Sequence, residues 1–262
     1  MKKIITGIII LLISLPMILT FLLTVFTYYK YPQLLPSQLT FEYWNNFFFK
    51  NPLMIRSVLN SLFLGLMNGT SSTIVGFMAG RALSKQKENR HTRTMLLYSL
   101  PLFIPATALF IGVHLIMLRL SFTNTYLGVV LAHMVLSVPY STNIGISFFK
   151  GIPSEMEQVA RTIGCRDFNL FKKVILPLIT PGLLFSGSIC FLLSFSDYFA
   201  AALIGGGKVI TLSALLYPYI NNADYGNSAT LGIVFVSINI GVFFITERIT
   251  KRLTKVNTYL FE

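Results

Sequence analysis

The sequence has 262 residues, of which 54% are hydrophobic and only 11% are charged, and its formal net charge is +12. Soluble domains carry about 25% charged residues and disordered chains are poor in apolar residues, so this composition excludes both classes. It predicts an all-α, polytopic membrane protein.

The first predicted element is a membrane span at about 4–27. It begins after Lys2 and Lys3 and is apolar from Ile4 to Val25. A signal peptide has an apolar region of about 7–15 residues and a small-residue cleavage site, whereas this stretch is longer and no such site follows it. About 20 apolar residues are needed to cross the hydrocarbon core, which favours a transmembrane helix.

Five further segments have the length and apolarity of a span, at about 57–80, 95–118, 126–149, 179–203 and 229–247. The second contains two glycine pairs, Gly65/Gly69 and Gly76/Gly80, in the small-x-x-x-small pattern that lets helices pack closely. The aromatic-rich segment 28–56, before the second span, is predicted to lie at the outer membrane interface. The sequence therefore predicts a single membrane domain, 1–262, with six transmembrane helices.

Lysine and arginine are concentrated in alternate connecting segments. With the N-terminus inside, 16 of the 21 basic residues fall in four cytoplasmic segments and only 5 fall outside. The positive-inside rule then predicts that both termini are cytoplasmic. Because the basic residues are spread over four segments instead of one face, we expect no nucleic-acid partner.

The segment 150–178, called the elbow below, is the one long cytoplasmic loop. Its first part predicts a helix that begins near Pro153, with one apolar face formed by Met156, Val159, Ala160 and Ile163 at i, i+3, i+4 and i+7. Gly164 permits a tight turn, and a second short helix is predicted over Asp167–Ile175. This pattern fits either an amphipathic loop on the membrane or a helix–turn–helix that docks into another protein.

The elbow resembles the EAA loop of the permeases of ABC importers that depend on a substrate-binding protein. That loop reads E-A-A, three residues, G, nine residues and I-x-L-P. The matching positions are Gln158, Val159, Ala160, Gly164, Val174, Leu176 and Pro177. Gln158 stands where the pattern has Glu, which keeps the hydrogen bonding but removes the charge, and the adjacent Glu157 offers a carboxylate instead.

The six spans, the position of the elbow and the SFSDYF stretch at 194–199 extend the resemblance to most of the chain. They are most similar to the permeases for polyamines, ferric iron, thiamine, sulfate and phosphonates. The resemblance implies a permease of the bacterial cytoplasmic (inner) membrane that passes a small polar solute, with a polyamine or related solute as the best guess. It also implies four partners besides membrane lipid: two ABC ATPase subunits, a second permease (more often a different chain than a copy) and an extracytoplasmic substrate-binding protein.

The resemblance assigns the ATPase-coupling role to one set of elbow residues: Glu157, Gln158, Val159, Ala160, Gly164, Leu176 and Pro177. Met156 and Ile163 would complete the apolar docking face. It implies that ATP and Mg²⁺ bind to the partner ATPase subunits and that this chain binds no cofactor.

Asp197 is the only acidic residue predicted within a span, and Ser194 and Ser196 lie beside it. A charge inside a span is costly and marks either function or a firm partner. The three residues are therefore candidates for the translocation pathway of a polar or cationic solute, or for an interhelical hydrogen bond. The sequence slightly favours the structural role.

Other functions lack the residues they need. Gly205–Lys208 is followed by Val209 and so fails the P-loop pattern, which excludes an ATPase. Two separated histidines, His114 and His133, make neither a metal site nor a catalytic pair, and each is predicted to donate a hydrogen bond between packed helices. An intramembrane enzyme and a self-sufficient secondary transporter or channel remain the alternatives, although the latter is expected to show internal repeats.

Overall fold

The structure is a computed structural model that describes residues 2–26, 38–86, 88–162 and 164–258. The described residues are helical apart from turns and one isolated bridge between Phe26 and Leu39, which confirms the all-α prediction. The helices are α1 (Lys2–Leu23), α2 (Glu42–Asn45), α3 (Pro52–Ser84), α4 (Glu88–Phe103), α5 (Ala106–Arg119), α6 (Tyr126–Lys150), α7 (Ser154–Thr162), α8 (Asp167–Leu170), α9 (Leu176–Ser196), α10 (Phe199–Gly205), α11 (Leu212–Asn221) and α12 (Tyr225–Thr258). Two π-helical turns, Asn46–Lys50 and Phe171–Ile175, follow α2 and α8.

Four helical segments are long and apolar enough to cross a membrane: α3, α6, the run Asp167–Ser196 and Tyr225–Leu253. A fifth span exists if the bent pair α4 and α5 is counted as one. In α1 the described apolar part is Leu11–Leu23, and Leu11 and Ile13 are more than 60% exposed. The count of six spans stays a prediction.

The third predicted span, 95–118, is not one continuous helix. α4 ends at Phe103, and the next helix, α5, begins at Ala106 after a bend of 98°. Pro105 explains the break, because a proline disfavours helical backbone at the residue before it and has no N–H for the helix ladder. Pro105 itself lies at φ −52° and ψ 128°, outside the helical region.

The fifth predicted span, 179–203, is also interrupted. Its helix α9 begins earlier, at Leu176, and ends at Ser196; Asp197 has extended backbone and α10 starts at Phe199. The second and sixth predicted spans are shorter than the helices that contain them, α3 and α12.

The chain divides into two compact units, 1–61 with 210–240 and 62–209 with 241–262. In the first unit the segment 38–50 packs against the start of α12. The Asn46 amide donates to Asn227 Oδ1 at 3.1 Å, and Asn227 in turn donates to Asp224, which caps α12. Phe49 is 83% exposed beside this anchor, as expected for an aromatic side chain at a membrane interface.

The second unit is built on the contact between α6 and α9, with α3 packed closely against them. A Cβ on Gly76 would overlap Ser141, and a Cβ on Gly80 would lie 3.0 Å from backbone of Gly145. On the other half of α3, a Cβ on Gly69 would lie 3.0 Å from the carbonyl oxygen of Gly187. The glycine pairs therefore allow close helix packing, as the small-x-x-x-small pattern predicts.

Candidate functional site

The turn of the elbow is a Schellman motif that ends α7. The N–H of Gly164 donates to the Arg161 carbonyl and the N–H of Cys165 to the Ala160 carbonyl, each at 3.0 Å. Gly164 lies at φ +84°, in the left-handed region that favours glycine, and a Cβ there would meet nothing within 4 Å. Backbone conformation, not space, is therefore the reason for a glycine at 164.

The second helix of the elbow, α8, continues without a break into the membrane-crossing helix α9. α8 runs into the π-helical turn Phe171–Ile175 and then into α9, which has Pro177 in its first turn. Pro177 has no N–H to donate to the carbonyl of Lys173 four residues earlier. The α-helical hydrogen-bond pattern is therefore interrupted at this point. Leu176 and Pro177 thus mark where the elbow becomes a membrane helix.

The predicted apolar face of α7 is divided in the structure. Ala160 is only 6% exposed and belongs to the same core cluster as Phe77, Leu170 and Ile175, all within one compact unit. Val159, in contrast, is 61% exposed. Met156 is half-buried, and Ile163 lies outside the described residues.

One further apolar side chain of the elbow is exposed, and the sequence prediction did not include it in the docking set. Phe168 of α8 is 74% exposed, although two positions later Leu170 is 1% exposed. Phe168 therefore adds a second exposed apolar side chain, besides Val159, to the surface of the elbow. Its signal in the sequence is an aromatic residue two positions before a leucine in a short predicted helix, since residues two apart lie on different faces.

The elbow has two ion pairs, one to the residue that follows α3 and one within the elbow itself. Glu157 Oε2 lies 3.4 Å from Lys85 Nζ, just beyond the end of α3, and Arg161 lies 2.7 Å from Asp167 across the turn. Gln158, which replaces the Glu of the EAA pattern, is exposed. The carboxylate next to it is therefore already engaged inside this chain, so a contact of Glu157 with a partner would have to compete with Lys85.

Polar side chains bridge α3, α6 and α9 inside the second unit. The Asn68 amide donates to Ser137 Oγ and to the Cys190 carbonyl, both at 2.8 Å. One turn earlier in α9, Ser186 donates to Ser141 Oγ at 2.8 Å. Hydroxyl and amide groups in spans are expected to bond across helices in this way, and here they hold the three helices in one register.

The three predicted pathway residues lie in different surroundings. Ser194 is buried, and its Oγ is 2.7 Å from His133 Nδ1 of α6. Asp197 Oδ1 accepts the Ala200 N–H at 2.8 Å and so caps the start of α10. Ser196 is exposed and, with Asp197 and three aliphatic residues of α9, lines a cavity of about 370 Å³.

His133 bonds between helices as predicted, while His114 lies on α5. Among the residues that the structure describes, no three His, Cys, Asp or Glu side chains converge on a point that could hold a metal ion. The candidate site thus has two parts, the exposed elbow and the polar residues Ser196 and Asp197 where α9 ends.

Comparison with known proteins gives one family and several relatives. A family model described as "Binding-protein-dependent transport system inner membrane component" matches residues 1–255. The molybdate/tungstate transport system permease protein of Thermococcus kodakarensis is 26% identical over 206 residues, 77% of this chain and 81% of that protein. The spermidine/putrescine transport system permease protein of Haemophilus influenzae is 19% identical over 209 residues, 80% of this chain and 81% of that protein.

One solved structure with the same fold is a bacterial alginate ABC transporter in complex with an alginate pentasaccharide-bound periplasmic protein. A chain of that structure is 14% identical and superimposes with a TM-score of 0.74, covering 97% of this chain and 94% of that chain. At this identity the likeness establishes the fold.

Proposed function

Because the chain belongs to the family of binding-protein-dependent transport system inner membrane components, we propose that its elbow couples ATP hydrolysis on partner subunits to the movement of a small polar solute. The chain is a permease subunit of an ABC importer and so a multi-pass protein of the inner membrane. It is a transport component rather than an enzyme.

The coupling proposal rests on the rigidity of the elbow. Its turn is fixed by the Schellman motif at Gly164, and its underside is fixed by burial of Ala160 and Leu170. A segment that transmits force between subunits must keep its shape, and both features resist local unfolding. Val159 and Phe168 are both exposed, which supports docking in an apolar groove of an ATPase subunit.

We propose different tasks for the predicted coupling residues. Val159, with Gln158 beside it, contacts the ATPase, whereas Ala160 and Gly164 shape the elbow from within. Glu157 fastens it to the end of α3 through Lys85, and Leu176 and Pro177 pass the movement into α9. ATP and Mg²⁺ bind to the ATPase subunits, whose approach on binding ATP would tilt the spans as rigid bodies.

The solute is proposed to be a polyamine or a related small cation. Asp197 places a carboxylate beside a cavity of about 370 Å³ at the break between α9 and α10, and Ser196 adds a hydroxyl. A carboxylate within a membrane protein attracts a cation. The relative named for spermidine and putrescine supports this choice, while the one named for molybdate and tungstate supports an oxyanion.

The proposed assembly has two permeases, two ATPases and an extracytoplasmic binding protein, with both termini of this chain in the cytoplasm. We favour a different permease over a second copy as its partner. The excess of basic residues in the elbow and its neighbouring segments supports the orientation. Co-expression with tagged and untagged copies of this chain separates the two pairings, because a homodimer carries both forms through purification.

A transport experiment tests the proposed function. The assembled transporter is reconstituted in liposomes with ATP inside and the loaded binding protein outside, and uptake of spermidine and of molybdate is compared. Uptake of spermidine that needs both ATP and the binding protein supports the proposal. Uptake of molybdate without uptake of spermidine would show that the solute is an oxyanion and not a cation. Uptake without ATP would contradict coupling through the elbow.

A further inference from the structure

A second cavity lies where α3, α6 and the start of α9 meet near the elbow, within the unit 62–209 and 241–262. Its volume is about 350 Å³, and its lining consists of apolar residues and one charged residue, Arg81. Ile74 and Met78, which form its α3 wall, are 60% and 71% exposed. The cavity is therefore an apolar cleft that reaches the outer face of a membrane-crossing helix and has a single cation at its end.

Arg81 is poised to bind an anion. Its guanidinium carbon lies 5.6 Å from the centre of the Phe171 ring, which orients the planar group without using its N–H donors. Within the described part of the chain the structure gives the guanidinium no carboxylate or carbonyl acceptor. A guanidinium with unused donors is suited to a phosphate, which it can bind with two parallel hydrogen bonds.

The charge around the cleft has the same sign. Lys172 and Lys173 are exposed on the π-helical turn that carries Phe171. The carboxylate of Glu157 is paired with Lys85 and so does not compensate Arg81. An anion at the mouth of the cleft would therefore meet a local excess of positive charge.

We propose that the cleft binds an anionic phospholipid, with one acyl chain along Ile74 and Met78 and the phosphate on Arg81. Hydrocarbon matches the apolar lining, and Arg81 lies in the last turn of α3, which matches the depth at which a helix leaves the membrane. Basic clefts between membrane helices are the known setting for such headgroups. A soluble anion would gain nothing from the apolar part, which is why a lipid is the occupant.

The lipid would contact two parts of the protein that the elbow connects. Arg81 precedes Lys85, the partner of Glu157, by one turn, and Phe171 lies between α8 and α9. A lipid bound there would brace the end of α3 against the start of α9. The inference goes beyond the proposed coupling function, since binding is measured without transport.

Lipid titration of the purified full-length chain by native mass spectrometry tests the proposal. Phosphatidylglycerol and phosphatidylcholine with identical chains are compared, with glycerol phosphate as a headgroup without chains. Wild type is expected to bind phosphatidylglycerol at least about tenfold more tightly than phosphatidylcholine, and glycerol phosphate should not compete. Arg81→Gln should remove this preference, whereas Arg93→Gln, the same change at an exposed arginine of α4, should keep it.

Equal binding of the two lipids, equal losses in both variants or competition by glycerol phosphate would overturn the proposal. A fluorescence measurement covers the case in which Arg81→Gln fails to fold. Met78→Trp places a reporter on the exposed wall, and phosphatidylglycerol with brominated chains should quench the fluorescence that it adds to that of Trp44 more than the brominated choline lipid does. If assembly with the partner subunits abolishes this quenching, a protein occupies the cleft and the lipid assignment is wrong.

Discussion

The carboxylate of Glu157 in α7 lies 3.4 Å from the ammonium group of Lys85, 72 residues earlier in the chain. The pair joins the elbow to the end of α3, so movement of the elbow reaches a second helix besides α9. Lys85 is 58% exposed and Glu157 25% exposed, which limits the strength of the pair but leaves its geometry defined.

Exchanging the two charges should preserve coupling where removing one does not. We expect Lys85→Gln and Glu157→Gln each to lower ATP-driven uptake severalfold, while the double exchange Lys85→Glu with Glu157→Lys recovers most of it. The stability change should stay below about 1 kcal/mol, as for other exposed ion pairs. Uptake and thermal unfolding are measured on the same preparations. If the exchange is as defective as the single variants, Glu157 acts on a partner and not on Lys85.

Substitution of Gly164 should distort the backbone of the turn and so uncouple transport from ATP hydrolysis. Gly164→Arg places a charged side chain at a φ of +84°, where an ordinary residue costs about 1–2 kcal/mol, on the surface that we propose to dock. We expect the variant to insert at normal abundance and to lose uptake. Gly164→Asn is the matched control, because asparagine tolerates the left-handed region, and it should retain more uptake than Gly164→Ala. Normal uptake by Gly164→Arg at normal abundance would contradict the coupling assignment.

Close packing between α3 and α6 makes Gly76 sensitive to a single methyl group. A Cβ at this position overlaps Ser141, and overpacked cores lose about 1–3 kcal/mol. We expect Gly76→Ala to lower the unfolding temperature in detergent. Gly112→Ala in α5, where a Cβ would meet nothing within 4 Å, should leave it unchanged or raised, because alanine is the better helix former. Equal unfolding temperatures for the two variants would refute the packing account.

The features of this structure that depend on local chemistry could be predicted from the sequence. Gly164 is needed because of one backbone angle, and the pair Gly76/Gly80 permits close approach whatever the partner helix is. The break before Ala106 is also local, since Pro105 causes it. The prediction of one span over 95–118 missed the break because it used the average apolarity of the segment, which a single proline hardly changes.

Features that depend on the partner of a residue could not be predicted. Periodicity groups Val159 with Ala160 on an apolar face, but it does not tell whether the face packs inside the chain, as Ala160 does, or stays exposed, as Val159 does. Asp197 is similar. Its role as a cap follows from where α9 ends, and that depends on the packing of the helices around it.

Asp197 is expected to have separable structural and transport roles. Asp197→Asn keeps a side-chain oxygen that can accept the Ala200 N–H, so its unfolding temperature should match wild type. Asp197→Ala loses the cap at a cost of about 1 kcal/mol. If the carboxylate attracts a cationic solute, both variants should lose uptake by about tenfold. Uptake by Asp197→Asn at the normal rate would restrict Asp197 to the cap and remove it from the pathway.

Phe168 and Leu170 provide a matched pair for the docking surface. Phe168 is 74% exposed, so Phe168→Ala should leave the unfolding temperature of the isolated chain unchanged, and it should weaken the association with the ATPase because an exposed ring is lost from the interface. Leu170 is 1% exposed, so Leu170→Ala should destabilise the chain itself by about 2–5 kcal/mol.

Co-purification of the ATPase and thermal unfolding of the free chain separate the two effects. If neither Phe168→Ala nor Val159→Ala lowers the amount of ATPase that co-purifies, the docking surface lies elsewhere on the elbow. Loss of the ATPase by Phe168→Ala in a chain that unfolds at the normal temperature would place the α8 side chain in the interface, which extends the contact beyond the α7 residues of the EAA pattern.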